Sequence, residues 1–231
     1  MKKALLSLLT VTFIAGCSSS VSQLNLDKIS QFSGGQRTGD ATSYYWYTEN
    51  ASQPTSASDY VASESYGWYQ SSYRWDEGVV REVVREGEQR KNGELVPYNV
   101  HMRFNKDGEA IYQQYRVNKK ILPLSDGQLE RYVQEAQALQ TMTKDQDKQG
   151  TELMQGFWDG ETFESCDGKD YSHVEFNHTL PSFVMSRLSR LDNYIGFLGK
   201  IRNNTVYIDE LLILADDGHD CIERPELITA E

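Results

Sequence analysis

Residues 78–118 read GVVREVVREGEQRKNGELVPYNVHMRFNKDGEAIYQQYRVN, and this stretch decides the fold class. Gly78 to Glu86 is β-branched and charged, while Leu95 to Phe104 and Glu109 to Asn118 alternate apolar with polar. Val100, Met102 and Phe104 fall on one face of a strand, and His101, Arg103 and Asn105 on the other. Lys91-Asn92-Gly93 and Asn105-Lys106-Asp107-Gly108 end in Gly after Asn or Asp, the residue types that tolerate the positive φ of a tight hairpin. The stretch therefore predicts three antiparallel strands. Arg81, Arg85, Arg103 and Arg116 recur along it. One reading is an anion-binding face; the commoner one is solvated strand faces paired with Glu82, Glu86 and Glu109.

Downstream of these strands, Ser125 and Gln128 have the spacing of a capping box, in which the N3 side chain reaches back to the N-cap amide. Leu129, Tyr132, Val133, Ala136, Leu139 and Met142 then repeat at helical spacing. The pattern predicts one amphipathic helix over about 126–143, laid across the sheet. Beyond it, Gly156 to Trp158, Phe163 to Cys166 and Tyr171 to Phe176 read as strands, and Leu180 to Leu191 as a short helix begun at Thr179 and Pro181. Tyr194 to Arg202 and Thr205 to Leu214 flank Asn203-Asn204 and predict a C-terminal hairpin. The fold class is α+β, mainly antiparallel sheet.

Upstream, the stretch from Tyr44 to Trp75 is dense in aromatics, among them Tyr44, Tyr45, Trp46, Tyr47, Tyr60, Tyr66, Trp68, Tyr69 and Tyr73. Rings set among amides can grip sugars, and they also pack well on a pleated, half-buried sheet. Packing is the preferred reading, as two or three strands with Pro54 in the loop. Residues 17–42 are rich in Ser, Gln and Gly with aperiodic apolar positions, and read as a flexible tether with a span of about 25–30 Å. A globular domain follows over 43–231, either single or as packed halves 43–148 and 149–231.

The N-terminus carries Lys2 and Lys3, then a mostly apolar run from Ala4 to Ile14, which is the layout of an exported leader. The run is shorter than the roughly 20 residues a bilayer span needs. Ile14-Ala15-Gly16-Cys17 resembles the lipobox of bacterial lipoproteins. The resemblance implies removal of residues 1–16 and acylation of Cys17, with two or more chains giving stable anchoring. By the same resemblance, Ser18 in place of Asp implies sorting to the outer membrane and not the inner one, with the domain facing the periplasm. The spacing of Gly156-Phe157-Trp158, Cys166, the Asn203-Asn204 hairpin and Cys221 resembles the YjaH-like family of gammaproteobacterial lipoproteins over about 70–225. That resemblance brings no activity, cofactor or site residue with it.

A formal net charge of −11 disfavours nucleic acid and anionic lipid, both of which reward Lys and Arg, so membrane association is expected through the acyl anchor. With Cys17 assigned to lipid, Cys166 and Cys221 remain as an even pair in an oxidising compartment and read as a disulfide. Closing that loop contributes about 4 kcal/mol on the chain-entropy estimate.

Candidate chemistry is sparse. His173 and His178 do not share a face, and there is no HExxH, P-loop, GxGxxG, GxSxG or SxxK, so neither metal nor cofactor is expected. Asp216-Asp217-Gly218-His219-Asp220 lacks the distal Glu of a calcium loop and reads as a polar turn. Asp159 and Glu164, with Glu161 beside Trp158, form the one carboxylate pairing singled out for sugar cleavage. The expectation from sequence is a non-enzymatic envelope lipoprotein that binds an envelope protein or peptidoglycan. A wall or glycan hydrolase is the alternative.

Overall fold

A computed structural model describes residues 28–177, 179–189 and 192–228. The leader, Cys17 and the tether through residue 27 lie outside these residues, as do His178 and Leu191. Eight strands form one antiparallel meander: β1 (Ile29–Thr38), β2 (Ala41–Asn50), β3 (Gln53–Ser63), β4 (Gly67–Asp76), β5 (Val79–Lys91), β6 (Glu94–Phe104), β7 (Ala110–Val117) and β8 (Lys120–Leu122). The helix α1 (Asp126–Lys148) follows. A second sheet then comprises β9 (Glu152–Trp158), β10 (Phe163–Ser165), β11 (Asp170–Tyr171), β12 (His173–Phe176), β13 (Asn193–Arg202) and β14 (Thr205–Asp216), with α2 (Ser182–Leu188) between β12 and β13. Its spatial order is β11-β10-β9-β13-β14-β12, and β12 runs parallel to β14. Among the described residues no helix is long and apolar enough to cross a membrane.

The turns follow their residue chemistry. Asn92-Gly93 and Asn203-Asn204 adopt positive φ at both positions, as two-residue hairpins require. Ala51-Ser52 does the same without Asn or Gly, so the loop expected at Pro54 falls just before it: Pro54 lies inside β3, opposite Glu49 beside a register shift that accommodates its missing N–H.

α1 begins as predicted. The amide of Ser125 donates to Gln128 Oε1 at 2.9 Å, and Ala136 and Leu139 bury against Tyr45, Tyr47, Tyr73, Trp75, Val83, Val100 and Met102 on the inner face of the first sheet. The helix runs to Lys148, one turn past the predicted end. The apolar pattern stops at Met142, but polar contacts hold the last turn: Lys144 reaches Glu49 at 2.7 Å and Gln146 clasps the Gly35 backbone.

That clasp bears on the largest correction to the sequence reading. Residues 29–38, assigned to the flexible tether, are strand β1. The Gly and Ser that mimic a linker are there because β1 is squeezed from two sides. A Cβ at Gly35 would lie 2.6 Å from Ser43 O and 2.7 Å from Leu212 Cδ1. Gln146 accepts from Gly35 N–H at 3.1 Å and donates to Gly35 C=O at 2.7 Å, and Ser33 Oγ accepts from Leu153 N–H at 3.1 Å. These contacts blunt the sheet edge at β1.

The second sheet covers the outer face of β1–β3. Tyr44, Trp46 and Tyr60 of the first sheet pack with Leu198, Leu212 and Ile213 of the second, and Thr42 Oγ1 donates to Leu212 C=O at 3.1 Å. Cys166 and Cys221 form the predicted disulfide, with Cα atoms 6.0 Å apart. It fixes the start of a C-terminal strap that crosses the first sheet. Gln155 holds Ile222 by both its N–H (2.9 Å) and its C=O (2.7 Å), Arg224 reaches Thr48 Oγ1 (3.0 Å), and Ser72 Oγ donates to Glu226 C=O (2.6 Å).

Candidate functional site

The four arginines do not form one anion-binding surface, and of the pairings expected for them Arg103 with Glu82 is present. Arg85 turns inward beneath α1, where it is 5% exposed. Its guanidinium donates to Ser71 Oγ (2.7 Å), Tyr73 Oη (2.9 Å) and Glu135 Oε2 (2.7 Å) and lies 3.9 Å from Asp59 Oδ2. The Tyr69 and Tyr132 rings also lie against it, with centroids 3.9 and 4.7 Å from its central carbon. Burial pushes the Asp59 carboxyl up, against the pull of Arg85. This cluster joins helix to sheet.

Arg103 lies on the opposite face, where Glu82 accepts from Arg74 (3.1 Å) and Arg103 (2.9 Å), with His101 Nε2 at 2.7 Å. Burial alone raises the Glu82 carboxyl. Donation from His101, Arg103 and Arg74 outweighs it and holds the group below its ordinary value. Arg81 pairs with Asp76 at 3.5 Å, and Arg116 stands apart from all of these.

The carboxylates singled out for sugar cleavage do come together. Asp159 and Glu164 line one hollow of about 450 Å³ with Trp158, Thr162, Asp170 and Asp217. Asp159 is committed to a turn, because both its oxygens accept from Glu161 N–H, Thr162 N–H and Thr162 Oγ1 at 2.7–2.8 Å. Chiefly through the Thr162 amide and hydroxyl, these bonds lower its pKa to about 2, so Asp159 holds no proton to donate at neutral pH. His219, adjacent to the hollow in sequence, stacks on Tyr194 with ring centroids 4.3 Å apart. Among the described residues no group of His, Cys, Asp and Glu is arranged to hold a metal ion.

A larger feature lies on the outer face of the first sheet. Cross-strand register sets Arg37, Thr42, Ala62, Trp68, Glu88 and Pro97 in one row running perpendicular to the strands. The adjacent row is Gly35, Tyr44, Tyr60, Gln70, Glu86, Asn99, Arg116 and Ile121. At about 4.8 Å per strand, eight strands span about 34 Å. Two cavities lie along these rows. One, of about 640 Å³, is roofed by Leu211 to Leu214 and by Phe183, Val184 and Arg187 of α2. The other, of about 680 Å³, is open above Glu86, Asn99, Arg116 and Ile121. Trp68 lines both, so the two adjoin at its ring, and together they are called the trough, roofed on one side of Trp68 and open on the other.

The side chains in the trough are held in place. Trp68 stacks on Tyr60 at 6.2 Å and donates its indole N–H to Glu88 Oε2 at 3.1 Å; Gln70 donates to Glu86 Oε1 at 2.6 Å. Burial raises the Tyr60 hydroxyl, which stays neutral. Apolar groups stand exposed near the roofed end: Tyr66 at 77%, Phe183 at 73% and Leu95 at 44%.

Residues 33–226 match the family model described as "Protein of unknown function (DUF1481)". The chain belongs to that family. The match takes in most of β1, both helices, the disulfide and the strap as far as Glu226, so the trough lies within the family's span. No curated protein and no solved structure matches the chain.

Sequence reasoning reached Tyr60, Trp68 and Arg116 without joining them, and passed over Arg37, Gln70, Glu88 and Asn99. The signal for Asn99 was present, since it shares the polar phase of β6 with His101 and Arg103. Its neighbours across the sheet emerge only from the register of all eight strands.

Proposed function

We propose that this protein is a cell-envelope lipoprotein, held by acyl chains on Cys17 at the periplasmic face of the outer membrane, which binds another envelope component along the trough. The carrying observation is the trough itself: a pre-ordered row of aromatic and planar polar side chains that the fold leaves half covered. Concave sites with an apolar base and a few oriented polar groups are where binding concentrates. The lipobox, the likeness to YjaH-like lipoproteins and a disulfide suited to an oxidising compartment support the location.

The test uses the full-length protein in living cells. Cys17→Ser moves it from the membrane fraction to the soluble periplasm; a variant that stays membrane-bound after a salt wash refutes the anchor. A photocrosslinking residue at Asn99 captures one envelope component repeatedly, whereas the same residue at Lys106, in the exposed β6–β7 turn, does not. Identical capture from both positions refutes the trough as the binding surface.

A further inference from the structure

Resting on that reading, we infer that the component bound in the trough is a glycan strand of the cell wall, its sugar rings laid across the β-strands. The shape comes first. The longer row runs about 34 Å at right angles to the strands and the shorter about 24 Å; Gly35 and Tyr44 lie under the second sheet, and the members from Tyr60 to Ile121 form a linear surface that suits a polymer. They are built from side chains on a sheet face, and between β2 and β7 the backbone beneath them is paired on both sides, so a ligand there is held by side chains and not by strand addition.

The chemistry agrees with the shape. A sugar ring has a C–H face and a rim of hydroxyls or amides. Trp68, half-buried and stacked on Tyr60, presents a flat apolar surface at the point where the roofed and open halves meet. Around it stand groups that accept and donate in a plane: Gln70, Glu86, Glu88, Asn99 and Arg116. Two are braced before any ligand arrives, Glu88 by the indole and Glu86 by Gln70, so little freedom is lost on binding. The strap residues Pro225 to Ile228 line a neighbouring hollow with Gln70 and Glu86, the latter shared with the trough, and the disulfide with Gln155 secures the start of that strap.

Placement on the strands favours the wall over the membrane. Ile29 stands at the N-terminal end of β1, while Arg37 and the shorter trough row lie at the other, about 27 Å away at 3.3–3.4 Å per residue. The trough is therefore distant from the end of β1 that leads back to Cys17.

The experiment is co-sedimentation of the purified mature protein with protein-free peptidoglycan sacculi, and titration with a soluble β-1,4-linked N-acetylglucosamine hexamer followed by tryptophan fluorescence. Binding to both is expected, with Trp68→Ala weakening the hexamer about tenfold and Trp68→Phe weakening it less. Asn99→Ala with Arg116→Ala, both exposed on the open half, weakens binding without changing the circular dichroism and keeps the test valid should Trp68→Ala misfold. Failure to bind sacculi and hexamer overturns the glycan assignment, and so does binding that all three variants retain. Capture of a protein from the Asn99 crosslinker in place of wall material also overturns it, while leaving the trough as a binding surface.

Discussion

In β2, Tyr44 and Trp46 face the second sheet while Tyr45 and Tyr47 face α1, so four consecutive aromatics are all used in packing. In β6, Val100 and Met102 face α1 while Asn99, His101 and Arg103 face away from it, and the strand alternates cleanly. The two strands share a sheet, a hairpin-rich neighbourhood and one covering helix. They differ in what lies on the outer face: a second sheet over β2, and the open half of the trough near β6. A strand buried on both sides loses its period-two signature, because no face is left for polar residues. The aromatic density of residues 44–47 is thus a consequence of two-sided burial, while the density at Tyr60 and Trp68 lies at the margin of that burial, where a ring can both pack and receive a ligand.

The inner face should prove the most sensitive to substitution. Arg85→Ala leaves Asp59 buried beside Tyr73 without its cation, and a loss of about 3–5 kcal/mol is expected in chemical denaturation. A double variant, Arg85→Met with Asp59→Leu, removes both charges and should lose less than the single change. Equal losses would mean that packing around the guanidinium, and not the stranded carboxylate, sets the cost.

The covered half of the outer face comes next. Gly35→Ala drives a Cβ against Ser43 C=O, which is backbone and does not yield, at a cost of about 1–3 kcal/mol. Asn99→Ala, on the open half, should stay within about 0.5 kcal/mol of the parent. A comparable loss at Asn99 would erase the distinction between the halves.

The smallest effect is the acid response of Glu82. Its folded pKa lies below its ordinary value of 4.5, so its contribution is present above that value and is lost as pH falls through the folded pKa. Glu82→Gln should therefore flatten the decline of the denaturation midpoint below pH 4.5. An unchanged slope would assign the acid sensitivity to other carboxylates.

Much of the architecture was legible because it is written in local chemistry. Ser125 with Gln128 starts α1, Asn92-Gly93 and Asn203-Asn204 turn hairpins, and the alternation of β6 assigns its faces. β1 was not legible, since Gly34 and Gly35 look the same in a linker as in a strand squeezed between a helix and a second sheet. The last turn of α1 was missed for a related reason: Lys144 and Gln146 stabilise it through partners about a hundred residues away. Of the trough, sequence singled out its aromatics and one arginine but not their alignment.

By itself the sequence determined the α+β class, the amphipathic helix, the hairpins and the pairing of Cys166 with Cys221. Those follow from periodicity, turn residues and an even cysteine count, all of which act over short range or by elimination. The tertiary structure alone decided that Arg85 is buried while Arg116 is open, that Asp159 belongs to a turn, and that Arg37, Trp68, Gln70 and Asn99 lie on one continuous surface. The reason is that a strand's sequence sets which side chains alternate, whereas the partner on each face decides which of the two sides meets water.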